Sequence, residues 1–409
     1  MYYKRTAELL LQIQCRSRVH YVSICCGKMQ KIKIVCIMPN RSWTVGEIRL
    51  TEPLKALCQK HSEIECHFTA VFDVSVQDLE GANIVIFQRI ATPFAERAAQ
   101  KLTAMGVPYI YEIDDLLWDV PQGLLSSSAW NRNKERLFFL LKNARAVTTT
   151  TPQIAEKLRE FNSDVRVIPN VLRLPAKRNF SFDSRAKLIL SATDRIYIAP
   201  AAEALKKLQD LYSTEIIAIG PVAEDLRAKG IKVSEYPVMD LEKYSAFLAS
   251  LDNVIGLCPL DDSAFSRCKS SVKYQSYSLA GIPVLASCRE PYSGAIRHGH
   301  SGYLVPSDSA EAWFEALQLH LNEPERLEEY VKKALADLEN AADTGALWYT
   351  LFQEIHQNSP AAVHDFKMPS SWDWGYFRYF FSLEKYAALF RLIRQYGIGK
   401  IFQLLRKGM

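Results

Sequence analysis

The sequence predicts an α/β protein made of two doubly wound domains in succession, facing each other across a cleft. Three observations carry this expectation. At 409 residues and 46.5 kDa the chain is too long for one hydrophobic core. Short Val/Ile-rich runs alternate with helical patterns at the spacing of βα units, and they do so in two separate series. Between the series, VLRLPAKRNFSFDSR loses all periodicity and collects basic and polar residues, as a domain boundary does.

Taken in order, residues 1–30 read as an extension or an early start, because the pattern begins only at MQKIKIVCIMP, a first buried strand. The first domain, 31–172, continues through the helix EPLKALCQKH, the strands IECHFTAV and ANIVIFQR, the helix PFAERAAQKLTAMG and the strand VPYIYEIDD. It closes with NKERLFFLLKNA, AVTTTT, PQIAEKLREF and VRVIPNV. Continuous apolar strands separated by helices predict a parallel sheet covered on both faces. The second domain, 173–340, runs from AKLILSAT through APAAEALKKLQDLY, EIIAIG, KVSEYPV, LEKYSAFLASL and NVIGLCPL to RCKSSVKYQSYSLAGIPVLAS. In that last segment Ser270 or Ser271 is a candidate helix cap, and Gly281 with Pro283 supplies the stop.

Composition narrows the function. With 48% hydrophobic and 23% charged residues the chain is neither fibrous nor broadly disordered. The net charge of +5 equals that of residues 371–409 alone, where seven Lys/Arg stand against Asp373 and Glu384. The body is formally neutral, so no nucleic-acid partner is expected. Nine cysteines, an odd number without paired metal-ligand spacing, read as small hydrophobes in a reducing compartment; no metal and a cytoplasmic location are the expectations. No uncharged apolar run is long enough to span a bilayer, and AELLLQIQC lacks a small-residue cleavage site, so neither a transmembrane span nor secretion is predicted.

Candidate chemistry concentrates after NVIGLCPL. Lys269 and Lys273 are four apart, so on one helix they share a face, and Ser270 adds a hydroxyl beside a positive helix end, a suitable diphosphate cradle. An ordinary solvated lysine pair has the same spacing. Asp114 and Asp115 end a buried strand at the cleft edge, where they could orient hydroxyls, cap the next helix or bind arginine. No G-x-S-x-G elbow or Ser-His-Asp order supports a hydrolase, and no G-x-G-x-x-G follows the strand at Ile34 or at Leu188.

These residues are similar to the pattern P-L-x-D-x-x-F-N-x-x-K-S-x-x-K-x-x-E-x-x-A-x-G-x-P-V of retaining, nucleotide-sugar-dependent glycosyltransferases of family 4 and the related group-1 domain, which have the GT-B fold. The chain carries Pro259, Leu260, Asp262, Phe265, Lys269, Ser270, Lys273, Leu279, Gly281, Pro283 and Val284 in corresponding order. The resemblance extends to Gly299, Gly302, Leu304 and Val305, to Gly46 and Arg49 after the first strand, to Tyr111, Glu112, Asp114, Asp115 and Trp118, and to the V-I-P-N run ending at Asn170. Two positions depart: Ser276 stands where the family carries a Glu that holds donor ribose hydroxyls, and Ser266 replaces an Asn.

The resemblance implies a hexosyltransferase-type enzyme that moves a sugar from a nucleotide-diphosphate donor to a glycan or lipid-linked glycan in surface polysaccharide synthesis, with retention and without a cofactor or metal. The second domain would bind the donor and the first the acceptor. Lys269 and Lys273, with Asp114 and Asp115, would form the catalytic set, and Gly46, Arg49, Arg195, Asp262, Ser270, Ser276 and Gly302 would line the donor site. Gly46 could equally be a plain turn glycine and Arg195 a surface residue. The loss of the family Glu at Ser276 keeps a second reading open, a catalytically degenerate GT-B-like scaffold for another transferase. The GT-B resemblance also makes 341–370 a crossover helix and linker returning to the first domain. Residues 371–409 hold eleven aromatic residues beside their basic ones, the composition of an amphipathic tail for an anionic membrane surface, giving a peripheral place on the inner membrane. The alternative is a helix docked on its own protein or on a second subunit.

Overall fold

The computed structural model describes residues 31–40, 44–122, 127–177, 179–192 and 198–359. Arg195, residues 1–30 and the tail 371–409 lie outside the described residues, and of 341–370 only the part to 359 is described.

Two six-stranded parallel sheets follow one another along the chain. The first is formed by β1 (Ile32–Met38), β2 (Ile64–Ala70), β3 (Ile84–Gln88), β4 (Tyr109–Glu112), β5 (Ala146–Thr149) and β6 (Val165–Val167), in the spatial order β2-β1-β3-β4-β5-β6. The second comprises β7 (Lys187–Ser191), β8 (Ile216–Ile219), β9 (Ser234–Tyr236), β10 (Val254–Cys258), β11 (Val284–Ser287) and β12 (Tyr303–Val305), ordered β12-β11-β10-β7-β8-β9. The registers are in phase, with Ile34 beside both Cys66 and Ile84 in the first sheet and Gly256 beside Ile189 and Val284 in the second. Val, Ile and Leu dominate the central strands because both faces are covered, and β1, β3 and β10 are buried at almost every position.

Local chemistry sets the helix starts. Thr92 accepts a hydrogen bond from the Ala95 N–H at 3.2 Å and Pro93 follows at the first helical turn, opening Pro93–Ala104. Asp240 and Ser309 cap Leu241–Ser250 and Ala310–Asn322 in the same way. Gly281, at φ +74°, ends the helix Val272–Leu279; its N–H reaches the Ser278 carbonyl and that of Ile282 reaches Tyr277.

The last described helix, Thr344–Gln357, lies on the first sheet. Trp348, Leu351, Phe352 and Ile355 pack with Ile34, Cys36, Leu54 and Ile86 in one buried cluster. Each such side chain contributes about 1.5–3 kcal/mol relative to exposure. A smaller apolar seam joins the two halves through Ile48, Leu172, Leu279, Val331 and Leu335. Among the described residues, no helix is long and apolar enough to cross a membrane.

Candidate active site between the two sheets

The order of each sheet reverses once, between β1 and β3 in the first and between β7 and β10 in the second. Loops on either side of a reversal diverge and leave a crevice outside the carboxyl ends of the strands, the usual place for a ligand. Here the two carboxyl edges face each other. Lys269, beyond β10, places its Nζ 2.9 and 3.0 Å from the two carboxylate oxygens of Asp115, beyond β4.

The first wall is densely charged. Arg89 follows β3 in the left-handed region at φ +48°, unusual for a residue with a side chain. Its Nη1 donates to Asp114 Oδ1 at 2.9 Å and lies 3.8 Å from Asp115 Oδ2. Burial works against the Arg89 charge, but Asp114, Asp115 and Glu112 together outweigh it and push the guanidinium above its ordinary value. Asp115 therefore sits between two cations, one from each half. Beneath it, Glu112 is fully buried, accepting from Arg49 Nε at 2.7 Å and from Gln88 Nε2 at 3.1 Å. Burial raises its carboxyl, and the Arg49 guanidinium pulls it back.

The second wall relies on hydroxyls. Tyr277, on the helix Val272–Leu279, donates to Ser191 Oγ at 3.1 Å, and the Tyr244 hydroxyl lies 2.8 Å from the same atom. Gly256 makes this possible, since a Cβ there would fall 2.4 Å from the Tyr277 ring. Lys273 is partly exposed on the helix's first turn, and its charge opposes the burial that raises the Cys258 thiol to about 11. Lys269 also lies over the Phe265 ring at 4.1 Å. Asn170 stitches the walls together: it accepts from Arg49 Nη1 at 3.1 Å and donates to Ser270 Oγ at 3.0 Å, while Gln275 Nε2 donates to its carbonyl at 2.8 Å.

Several sequence expectations need correction. Lys269 and Lys273 do not share a helix. Ser263 caps a separate turn, Ala264–Arg267, and the chain bends through Cys268–Ser271 before the next helix begins at Val272. Ser271 occupies the N-cap without a side-chain capping bond, and Ser270 instead receives Asn170. Arg49, expected to line the donor site, is 1% exposed and bonds to Glu112, Asn170 and the Ile168 carbonyl. Ser276, the donor-site candidate at the family Glu position, is turned into the packing rather than exposed. It is 6% exposed and donates back to the Val272 carbonyl at 2.9 Å, a common use of a mid-helix serine.

The two candidate glycines have packing reasons. A Cβ at Gly46 would stand 3.0 Å from Met38 Sδ and 3.2 Å from Gln88 Oε1, and one at Gly302 would stand 2.9 Å from the Val284 carbonyl. Asp262 remains exposed at the mouth, 2.5 Å from Arg267 Nη2 and 3.5 Å from Arg289 Nη1. Sequence reasoning missed Arg89, Gln275 and Tyr277. Arg89 stands 25 residues before Asp114, and nothing local couples them.

The chain matches no protein-family model. No curated protein matches it. Solved structures share its architecture. It is similar to an alpha-glucosyltransferase in complex with UDP-glucose and DNA containing an abasic site, at 9% identity over 80% of this chain and 99% of that one, TM-score 0.57. Sucrose-phosphate synthase from Thermosynechococcus elongatus is similar at 13% identity over 80% and 99% of the two chains, TM-score 0.55. A Listeria monocytogenes protein assigned as a UDP-N-acetylglucosamine 2-epimerase is similar at 14% identity over 83% and 100%, TM-score 0.52. The chain spans about half the length of S. aureus TarM, whose match covers 55% of that protein at TM-score 0.49. The class that follows is one of fold: two Rossmann-like domains in the GT-B arrangement, an architecture that carries transferases and an epimerase alike.

Proposed function

We propose that the protein is a glycosyltransferase of hexosyltransferase type that uses a nucleotide-diphosphate-sugar donor and a glycan or lipid-linked glycan acceptor, with retention, in surface polysaccharide synthesis. The observation that carries this reading is the placement of Lys269 and Ser270 just before the helix Val272–Leu279, at the carboxyl edge of the second sheet and opposite Asp114 and Asp115. Lys269, Lys273 and the helix end would take up the negative charge that grows on the diphosphate as its bond to the sugar breaks, so that the chain's own cations do this work. Asp114 and Asp115 would orient the acceptor hydroxyl. The basic aromatic composition of residues 371–409 supports a place on an anionic membrane surface at the cytoplasmic face.

A thermal-shift panel of UDP, GDP, dTDP and CMP tests the donor class, since a ligand held only by the native state must raise its stability. One nucleotide is expected to raise Tm. Lys269→Ala or Lys273→Ala is then expected to lower transfer by about 10²- to 10³-fold while the fold survives, the order seen when one preorganised charge-stabilising group is lost. A chain that binds none of the nucleotides favours the scaffold reading, which the burial of Ser276 also suits.

A further inference from the structure

Asp115 is shared between two cations of different origin. Arg89 reaches it from the first half, and Lys269 reaches it from the second with both carboxylate oxygens engaged. Lys269 is thus already neutralised by a resident carboxylate at the position where the proposed function needs it for a diphosphate. The pair is largely withdrawn from solvent, with side chains 15% and 24% exposed, so water screens it weakly. Asp114 answers to Arg89 at 2.9 Å.

We infer that Asp115 and the donor diphosphate are alternative partners of Lys269, and that donor binding releases Asp115 to receive the acceptor hydroxyl. This deepens the proposed function and rests on it. When Lys269 turns to the diphosphate, Arg89 retains both Asp114 and Asp115, two carboxylates against one guanidinium. The leftover negative charge then faces the crevice, where it accepts a hydrogen bond from a sugar hydroxyl. Before the donor arrives, the same carboxylate is occupied. The arrangement imposes an order, donor first and acceptor second, without any moving lid. Arg89 is the positioning residue: its left-handed backbone and largely covered side chain hold Asp115 on the first wall after Lys269 departs.

The test measures nucleotide affinity calorimetrically on the full chain, with UDP, GDP and dTDP as probes, for wild type, Asp115→Asn, Lys269→Ala, the double variant and Arg89→Gln. Circular dichroism melts establish that each variant is folded. Asp115→Asn removes the competing charge and is expected to tighten nucleotide binding, by roughly 5- to 50-fold on the usual scale of couplings between sites. Lys269→Ala weakens binding, and adding Asp115→Asn to it changes nothing further. Arg89→Gln leaves Asp115 wholly to Lys269 and weakens binding, opposite in sign to Asp115→Asn; general loosening of the site would move both the same way. Nucleotide binding that falls with Lys269→Ala but is unchanged or weakened in Asp115→Asn overturns the exchange while leaving the donor site standing. Failure of every variant to bind any of the three nucleotides overturns the exchange and the proposed function together.

Discussion

The carboxyl edges of the two sheets solve the same problem in different ways. The first buries formal charge: Arg49 and Glu112, 1% and 0% exposed, meet at 2.7 Å beneath the loop that carries Asp114 and Asp115. The second gathers neutral hydroxyls, the buried Tyr277 with the half-buried Ser191 and Tyr244, and leaves Lys269 and Lys273 half-exposed. A buried ion pair tolerates little rearrangement, because separating its partners leaves an uncompensated charge in a low-dielectric interior. Hydroxyls can exchange donor and acceptor roles at small cost. The first wall therefore acts as a fixed electrostatic frame, and in the exchange inferred above it is the second wall that supplies the cation, Lys269.

The comparison breaks most visibly at Arg49. Arg49→Met leaves Glu112 buried without its counter-charge and is expected to cost about 3–5 kcal/mol in urea denaturation, whereas Arg49→Met with Glu112→Leu recovers most of that loss. If the single variant is as stable as wild type, the first wall is no frame. The second wall is tested at Gly256. Gly256→Ala drives a methyl into the Tyr277 ring, 2.4 Å from its nearest carbon, and is expected to cost about 1–3 kcal/mol by thermal denaturation. Adding Tyr277→Ala relieves the overlap, and failure to do so would detach Gly256 from the hydroxyl network.

The smallest effect concerns pH. His320 is fully buried beneath the second sheet, with Nδ1 2.6 Å from the Ala316 carbonyl and Nε2 3.2 Å from the Tyr330 hydroxyl, and burial lowers its pKa below the ordinary 6.5. The unfolded chain then takes up a proton before the folded one. Stability is full above pH 6.5 and falls as the pH drops from there toward the folded value, by at most about 1.4 kcal/mol per pH unit. His320→Asn should flatten that slope between pH 5 and 7 in denaturant titrations, and an unchanged slope would assign it to other groups.

The fold was legible because a parallel sheet writes itself as uninterrupted apolar runs. IKIVCIM, IVIFQ and VIGLC needed no pairing partner to be read as strands, and APAAEALKKLQDLY became the helix Ala199–Tyr212 without adjustment. At the candidate site, spacing and resemblance marked Lys269, Ser270, Asp114 and Asp115, but not how they meet. RCKSSVKYQSY reads as one helix, yet Ser263 caps a separate turn, Ala264–Arg267, and Ser270 receives Asn170 where the chain bends before Val272. Ser276 was read as a donor-site residue, yet it is buried together with every residue from Tyr274 to Leu279. Arg89 carries no local signature. Its role arises from the adjacency of β3 and β4, which brings it to Asp114, and from the approach of the second half, which brings Lys269 to Asp115.

The helix Thr344–Gln357 has a consequence for synthesis. It supplies Trp348, Leu351, Phe352 and Ile355 to the core of the first sheet, although that sheet's last strand ends at Val167. On the ribosome, the first half emerges with an apolar stripe over Ile34, Leu54 and Ile86 that nothing yet covers. At ordinary elongation rates its covering helix follows after roughly ten to forty seconds. During that interval the nascent first half is a client for whatever holds exposed hydrophobic surface, and the second sheet must be made before the first is finished.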